Sequence, residues 1–148
     1  GCSSGIEPLF ALSLSRRVLD GKVLTSSNLT VETYLKEQNL LTTEIQTVIE
    51  AHGSVAETSL PEQVKRVLRA AHEISPYWHV AQLAAAQRHI DNGVSKTVNM
   101  PREATEQDVA DIFLQAYDSG CKGVTVYRDG SRDEQVLTGG TRCEDCLV

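Results

Sequence analysis

The pattern that most constrains the fold lies in the last third of the chain, where two short apolar runs flank an amphipathic segment. Val94 to Met100 reads as a strand, Glu106 to Ser119 as a helix, and Lys122 to Arg128 as a second strand. Thr105 and Asp108 approximate a capping box at the helix start, Val109, Ile112, Phe113 and Ala116 recur on one face, and Gly120 stops it. A strand, a helix and a strand in this order make one βαβ crossover, which places the two strands side by side in parallel. Parallel strands are normally continued at their edges and covered on both faces, inside larger sheets or closed barrels. One such unit therefore predicts the C-terminal portion of a larger α/β barrel, and the opening in a Gly/Ser loop points the same way.

Upstream of this unit the chain supplies supporting elements. Gly1 to Pro8 (GCSSGIEP) is small, polar and punctuated by glycine, as in a loop that passes close to another surface. Phe10, Leu12 and Leu14 alternate with Ala11, Ser13 and Ser15, and Asp20-Gly21 between apolar runs signals an N-terminal hairpin. Residues 25–29 read as a polar linker, and Thr30 with Glu32 and Thr33 opens a helix through Leu40. Thr43 is placed to cap a second helix with an Ile45, Val48, Ile49 stripe, and Gly53 to end it in the left-handed conformation. Pro61 starts a third helix that the periodicity carries through Ile74, and Ser75-Pro76 starts an Ala-rich fourth from Tyr77 to Ile90. From Ser131 the chain turns polar and Gly-rich, which predicts a mobile tail.

Charge and composition exclude several function classes. A formal charge of −6 over 148 residues argues against phosphate-backbone binding, which needs clustered Lys and Arg, so nucleic acid is not an expected partner. No apolar run approaches the roughly 18 residues of a spanning helix, and the N-terminus lacks a basic-then-apolar signal pattern, so no membrane is expected and a cytoplasmic protein is. Four cysteines are too few for a disulfide scaffold.

Candidate site residues fall in two places. Gln87 to Asn99 reads as a helix end, a polar corner and a strand start, which brings Asp91, Asn92, Ser95 and Lys96 together; a hydrogen-bonded corner explains them as well. Cys2, Ser3 and Ser4 in the opening loop are placed to touch a substrate or cofactor, and a structural role fits Cys2 equally. Cys121, between a helix stop and an apolar strand, reads as core. His89 suits a helix C-terminus, and Tyr127 reads as packing on the last strand. At the far end, the spacing of Cys143 and Cys146 allows a disulfide or two metal ligands. A zinc knuckle would need two further ligands and the tail offers none after Cys121, so no metal is expected. A disordered tail with two incidental cysteines is the other reading.

Three stretches, Gly1 to Pro8 (GCSSGIEP), Gln87 to Asn99 (QRHIDNGVSKTVN) and Gly120 to Arg132 (GCKGVTVYRDGSR), together resemble the C-terminal region of adenosylcobalamin-dependent (class II) ribonucleotide reductases. The resemblance is specific over 1–21 and 76–137, whereas 22–75 agrees only in helical character. It implies a ten-stranded α/β barrel in which a cobalamin-derived radical passes to a cysteine that activates the ribose, and a cysteine pair reduces the 2′-carbon. The radical cysteine and the phosphate loop of that family are expected upstream of Gly1, so ribonucleotide reduction is expected of this chain only together with the upstream part of the barrel.

Under this resemblance residues 1–131 are the barrel portion and 132–148 a flexible redox tail. Cys143 and Cys146 then resemble the C-terminal dithiol that re-reduces the active-site disulfide and takes electrons from a thioredoxin-type reductant. Only thiolate attacks a disulfide, and at a pKa of about 8.5 only a few per cent is present near neutrality. Glu144 and Asp145 lower that fraction and Arg142 offsets part of the effect. An extended chain from Arg132 to Cys143 spans at most about 36 Å, at roughly 3.3 Å per residue, enough to swing away from a barrel mouth. The alternative function class is a non-catalytic, thiol-bearing binding or regulatory module.

Overall fold

The computed structural model describes residues 3–17, 23–131 and 137–140. The described residues divide into two compact units: one holds 9–17, 23–70 and 137–140, the other 3–8 and 71–131.

In the first unit, strands β1 (Ser13–Arg17) and β2 (Val23–Ser27) pair antiparallel with Ser13 opposite Ser27 and Arg17 opposite Val23. This is the hairpin expected around Asp20-Gly21, although the turn itself lies outside the described residues. The stretch 25–29, expected as linker, instead carries the end of β2. Helix α1 (Leu29–Glu37) therefore starts before Thr30, with Asn28 as cap: its side-chain oxygen accepts from the Thr30 and Val31 amides at 3.0 and 3.3 Å. An asparagine carbonyl satisfies two otherwise orphaned amides at once, which fixes the boundary.

Helix α2 (Thr43–His52) is capped by Thr42, one residue before the position expected. Gly53 ends it at φ +67, returning its amide to Ile49 while its carbonyl accepts from Leu12. Leu12, Val31, Leu35, Ile45, Ile49, Val55, Leu60 and Leu68 form the core of this unit. Helix α3 covers only Glu62–Val67, short of Ile74. Leu68 and Ala70 are both buried, and residues two apart do not share a helical face, so the chain leaves the helix to bury both.

A third strand, β5 (Leu137–Gly139), pairs antiparallel with the other edge of β1, Leu14 opposite Gly139, giving the order β2-β1-β5. It lies inside the stretch 132–148 expected as a flexible tail, and corrects that expectation for these residues. Backbone complementarity explains it: β1 offers an open edge, the Gly140 amide donates to the Ser13 carbonyl at 2.8 Å, and Gly140 is buried. A Cβ on Gly140 would collide with the Ala51 carbonyl, and one on Gly53 would lie 2.8 Å from the Gly140 amide nitrogen. Only glycines permit this approach at positive φ.

The second unit holds α4 (Pro76–Gln87), β3 (Thr97–Met100), α5 (Glu106–Asp118) and β4 (Thr125–Arg128). β3 and β4 pair in parallel, Thr97 opposite Thr125 and Met100 opposite Arg128. The capping box of α5 is present in both directions between Thr105 and Asp108. Val80, Val98, Met100, Ile112 and Ala116 form the core, with Val109, Cys121, Val124 and Val126 packed against it. Phe113, expected inward, is 50% exposed; the one-sided core takes Ile112 and Ala116, and Phe113 lies one step round the helix from that stripe.

Replacing Gly53 by Ala is expected to destabilise the first unit by at least about 1–2 kcal/mol, the cost of a side chain in the left-handed region before any clash is counted. Urea unfolding followed by circular dichroism measures it; an unchanged midpoint would contradict the seat described.

Candidate functional site

The polar corner after α4 is built by Gln87, a residue that sequence reasoning does not single out. Gln87 is buried, and its amide group donates to the carbonyls of Ile90 and Asn92, each at 2.8 Å, while its carbonyl accepts from the Val94 amide at 3.2 Å. One side chain thus satisfies three backbone groups of a turn that has no ladder of its own. The Lys122 ammonium also donates to the Asp91 carbonyl. Asp91, Asn92 and Ser95 are exposed on this corner, as is His89, while Arg88 takes the helix C-cap.

The next residue behaves differently. Lys96 is 1% exposed, and its ammonium lies 2.7 Å from one carboxylate oxygen of Glu7. The other Glu7 oxygen accepts from the Thr97 amide at 2.6 Å. Loop 3–8 is thereby fixed to the start of β3 across 89 and 90 residues of sequence.

The direction of this contact follows from the ladder. Carbonyls of Lys96 and Met100 accept from Thr125 and Asp129 on the β4 side. Backbone groups alternate sides along a strand, so Thr97 and Asn99 present theirs to the opposite edge. Glu7 holds the first donor on that edge. Ser3 and Ser4 are exposed in the same loop, and the Glu7 amide donates to the Ser4 carbonyl at 3.0 Å.

The ribonucleotide reductase barrel-domain family model matches residues 1–127. The chain belongs to that family. It is 45% identical over 141 residues to a vitamin B12-dependent ribonucleoside-diphosphate reductase of Thermoplasma acidophilum, covering 95% of this chain and 18% of that protein. It is 39% identical over 139 residues to a vitamin B12-dependent ribonucleoside-diphosphate reductase of Mycobacterium tuberculosis, covering 93% of this chain and 20% of the relative. Among solved structures, the class Id ribonucleotide reductase alpha subunit of Actinobacillus ureae matches with a TM-score of 0.68 at 25% identity, over 84% of this chain and 22% of that one. The chain thus spans about a fifth of the length of these relatives, and its fold is a portion of the α/β barrel of the reductase family.

Within this barrel portion the expected site residues separate into two groups. Glu7 links the Ser4 carbonyl, through its own amide, to Lys96, through its carboxylate, whereas Asp91, Asn92 and Ser95 stay on the exposed corner that Gln87 shapes. Cys2, Cys143 and Cys146 lie outside the described residues. Lys96 is not available as a free cation, because Glu7 neutralises it. The sequence signal for Glu7 is slight: an acid between Ile6 and Pro8 with no basic residue nearby in the chain.

Beside the ion pair sits His79, on the buried stripe of α4. Its Nε2 lies 3.0 Å from the Ala71 carbonyl and so carries the proton, which leaves Nδ1 buried without a partner. Burial lowers its pKa; the Ala71 carbonyl and Glu7 oppose that shift, while Lys96 adds to it. His72 is lowered too, by burial, against Asp129 and Glu73. Cys121 is half-buried on the core and burial raises its thiol pKa, as for a packing residue rather than a nucleophile.

The two histidines set a pH dependence. A histidine whose folded pKa is depressed binds fewer protons folded than unfolded, so stability is full above the ordinary value of 6.5 and declines as pH falls through it. Asp108, held below its ordinary 3.8 by the Thr105 amide and hydroxyl, acts only at lower pH. Melting temperature is therefore expected to fall from pH 7 to pH 5, and less steeply in His79→Gln, whose amide can still donate to Ala71. Parallel pH profiles for parent and variant would refute the assignment to His79.

Proposed function

We propose that this chain is the part of an adenosylcobalamin-dependent ribonucleotide reductase that contributes the final strands of a ten-stranded α/β barrel and a dithiol that re-reduces the active site. The observation that carries the proposal is the 45% identity, over 95% of the chain, to a vitamin B12-dependent ribonucleoside-diphosphate reductase. The geometry supports it: β3, α5 and β4 follow one another with β3 parallel to β4, as in a βαβ crossover, and Asn99 turns its backbone toward an edge where a further barrel strand fits. The substrate is a ribonucleotide, and the location cytoplasmic.

Adenosylcobalamin belongs to the complete enzyme. This chain's contribution is to shape the barrel wall at Glu7, Lys96 and Asn99 and to carry the thiols. Mixed with a polypeptide holding the rest of the barrel, it is expected to yield cobalamin-dependent ribonucleotide reduction; full activity of that polypeptide without this chain would overturn the proposal.

The dithiol of Cys143 and Cys146 exchanges with the active-site disulfide and then with a thioredoxin-type protein. With β5 paired to β1, the three residues from Gly140 to Cys143, at roughly 3.3 Å each, span at most about 10 Å. In the assembled enzyme, Cys143→Ser or Cys146→Ser is expected to abolish turnover with the protein reductant and to spare it with a small dithiol that enters the site directly. Equal activity of variant and parent with the protein reductant would refute the shuttle.

A further inference from the structure

We infer that Glu7 is a positioning residue of the reductase: by binding Lys96 and Thr97 it holds the Ser3–Ser4 turn against the first residues of β3, so that loop and strand face the ribonucleotide as one piece. This deepens the function proposed above and rests on it.

Both Glu7 oxygens are engaged, and the Lys96 ammonium has Glu7 at 2.7 Å and the Thr97 carbonyl at 3.5 Å. The Lys96 side chain is fully buried and its ammonium meets one Glu7 oxygen at 2.7 Å, so its charge is neutralised before any substrate is met. The second Glu7 oxygen takes the Thr97 amide, which alternation along β3 directs away from β4. Glu7 therefore occupies a hydrogen-bonding place that a neighbouring strand would otherwise fill, and it marks where pairing along that edge can begin.

The turn itself is short and stiff. The Glu7 amide donates to the Ser4 carbonyl at 3.0 Å, and Pro8 fixes the backbone immediately after. Glu7 thus ties the Ser4 carbonyl, through its backbone amide, to the same residue whose carboxylate binds β3. The Ser3 and Ser4 side chains are exposed, whereas those of Lys96 and Asn99 are buried. The pair thus supplies position, and the exposed hydroxyls supply the contacts.

A single Glu7 variant would leave the Lys96 ammonium buried without a counter-charge and would confuse unfolding with loss of position, so the test removes both charges. Buried ion pairs replaced by apolar side chains of similar size commonly keep or gain stability. Glu7→Leu/Lys96→Met is therefore expected to fold, with a melting temperature within about 5 °C of the parent. In the full chain its Thr97 amide is expected to exchange with solvent at least about tenfold faster. In the assembled enzyme KM for the ribonucleotide is expected to rise at least about tenfold while melting stays near the parent value, as small misplacements of a positioning group do.

Unchanged Thr97 exchange would refute the tether. A parent-like KM in the folded double variant would refute the positioning role. Absence of ribonucleotide reduction in the assembled parent is instead a failure of the proposed function, visible before any variant is compared, and the exchange measurement still decides whether Glu7 holds the loop.

Discussion

The ion pair between Glu7 and Lys96 is the interaction on which the second unit's arrangement depends. Without it, the opening loop has little reason to stay with β3: Ser3, Ser4 and Gly5 are exposed, and the loop contributes no residue to the hydrophobic core of that unit. Polar bonding does what apolar burial cannot. The cost falls chiefly on Lys96, whose side chain is wholly buried while that of Glu7 is 29% exposed; desolvating an ion costs several kcal/mol, which the attraction offsets only if the remaining donors and acceptors are also satisfied. Most of that requirement is met at this site, with two of the three ammonium donors and both carboxylate oxygens engaged. Lys96 has Glu7 and the Thr97 carbonyl, and Glu7 has Lys96 and the Thr97 amide.

An ion pair of this kind confers specificity of arrangement more than net stability. Breaking one partner of a buried pair costs about 3–5 kcal/mol, because a charge is left in a poor solvent, whereas an apolar substitute for both partners fits without a directional demand. The direction matters at β3. A carboxylate offers two oxygens at fixed spacing, and Glu7 uses one for a side chain and one for a backbone amide of consecutive residues. Gln87 applies the same economy to the corner, binding three backbone groups with one amide. Loop, corner and strand start are thus each set by a single polar side chain with more than one bond.

Such contacts explain which parts of the fold are legible in the sequence. Local signals succeed where their cause is local: Gly53 at its positive φ, Ser75-Pro76 at the start of α4, the Thr105–Asp108 box, and the strands on either side of α5. Boundaries slip by one or two residues where neighbouring polar residues compete for a cap, as at Asn28 against Thr30 and Thr42 against Thr43. Glu7 with Lys96 is out of reach, because nothing near either residue signals a partner some 90 positions away. Lys96 stands out in the sequence as one of the polar residues crowded at a strand start, and the structure pairs its ammonium with Glu7. Period alone assigns Phe113 to the core, though a helix with a core on one side buries only its narrow stripe.

β5 escapes the sequence for a related reason. Leu137 to Gly139 is too short and glycine-rich to announce a strand, and its pairing depends on the open edge of β1, more than a hundred residues earlier. Its seat is steric as well as hydrogen-bonded, since Gly53 and Gly140 meet where neither tolerates a Cβ. This bears on the proposed role of the terminal cysteines. A tail free from Arg132 would let Cys143 travel about 36 Å, but one held at Gly140 confines it to about 10 Å and Cys146 to about 20 Å, at roughly 3.3 Å per residue. A shuttle between an active site and an external reductant farther apart than that requires β5 to leave β1. Short strands at a sheet edge open locally at low free energy, so the proposed shuttle and the pairing of β5 with β1 agree only where that pairing is reversible.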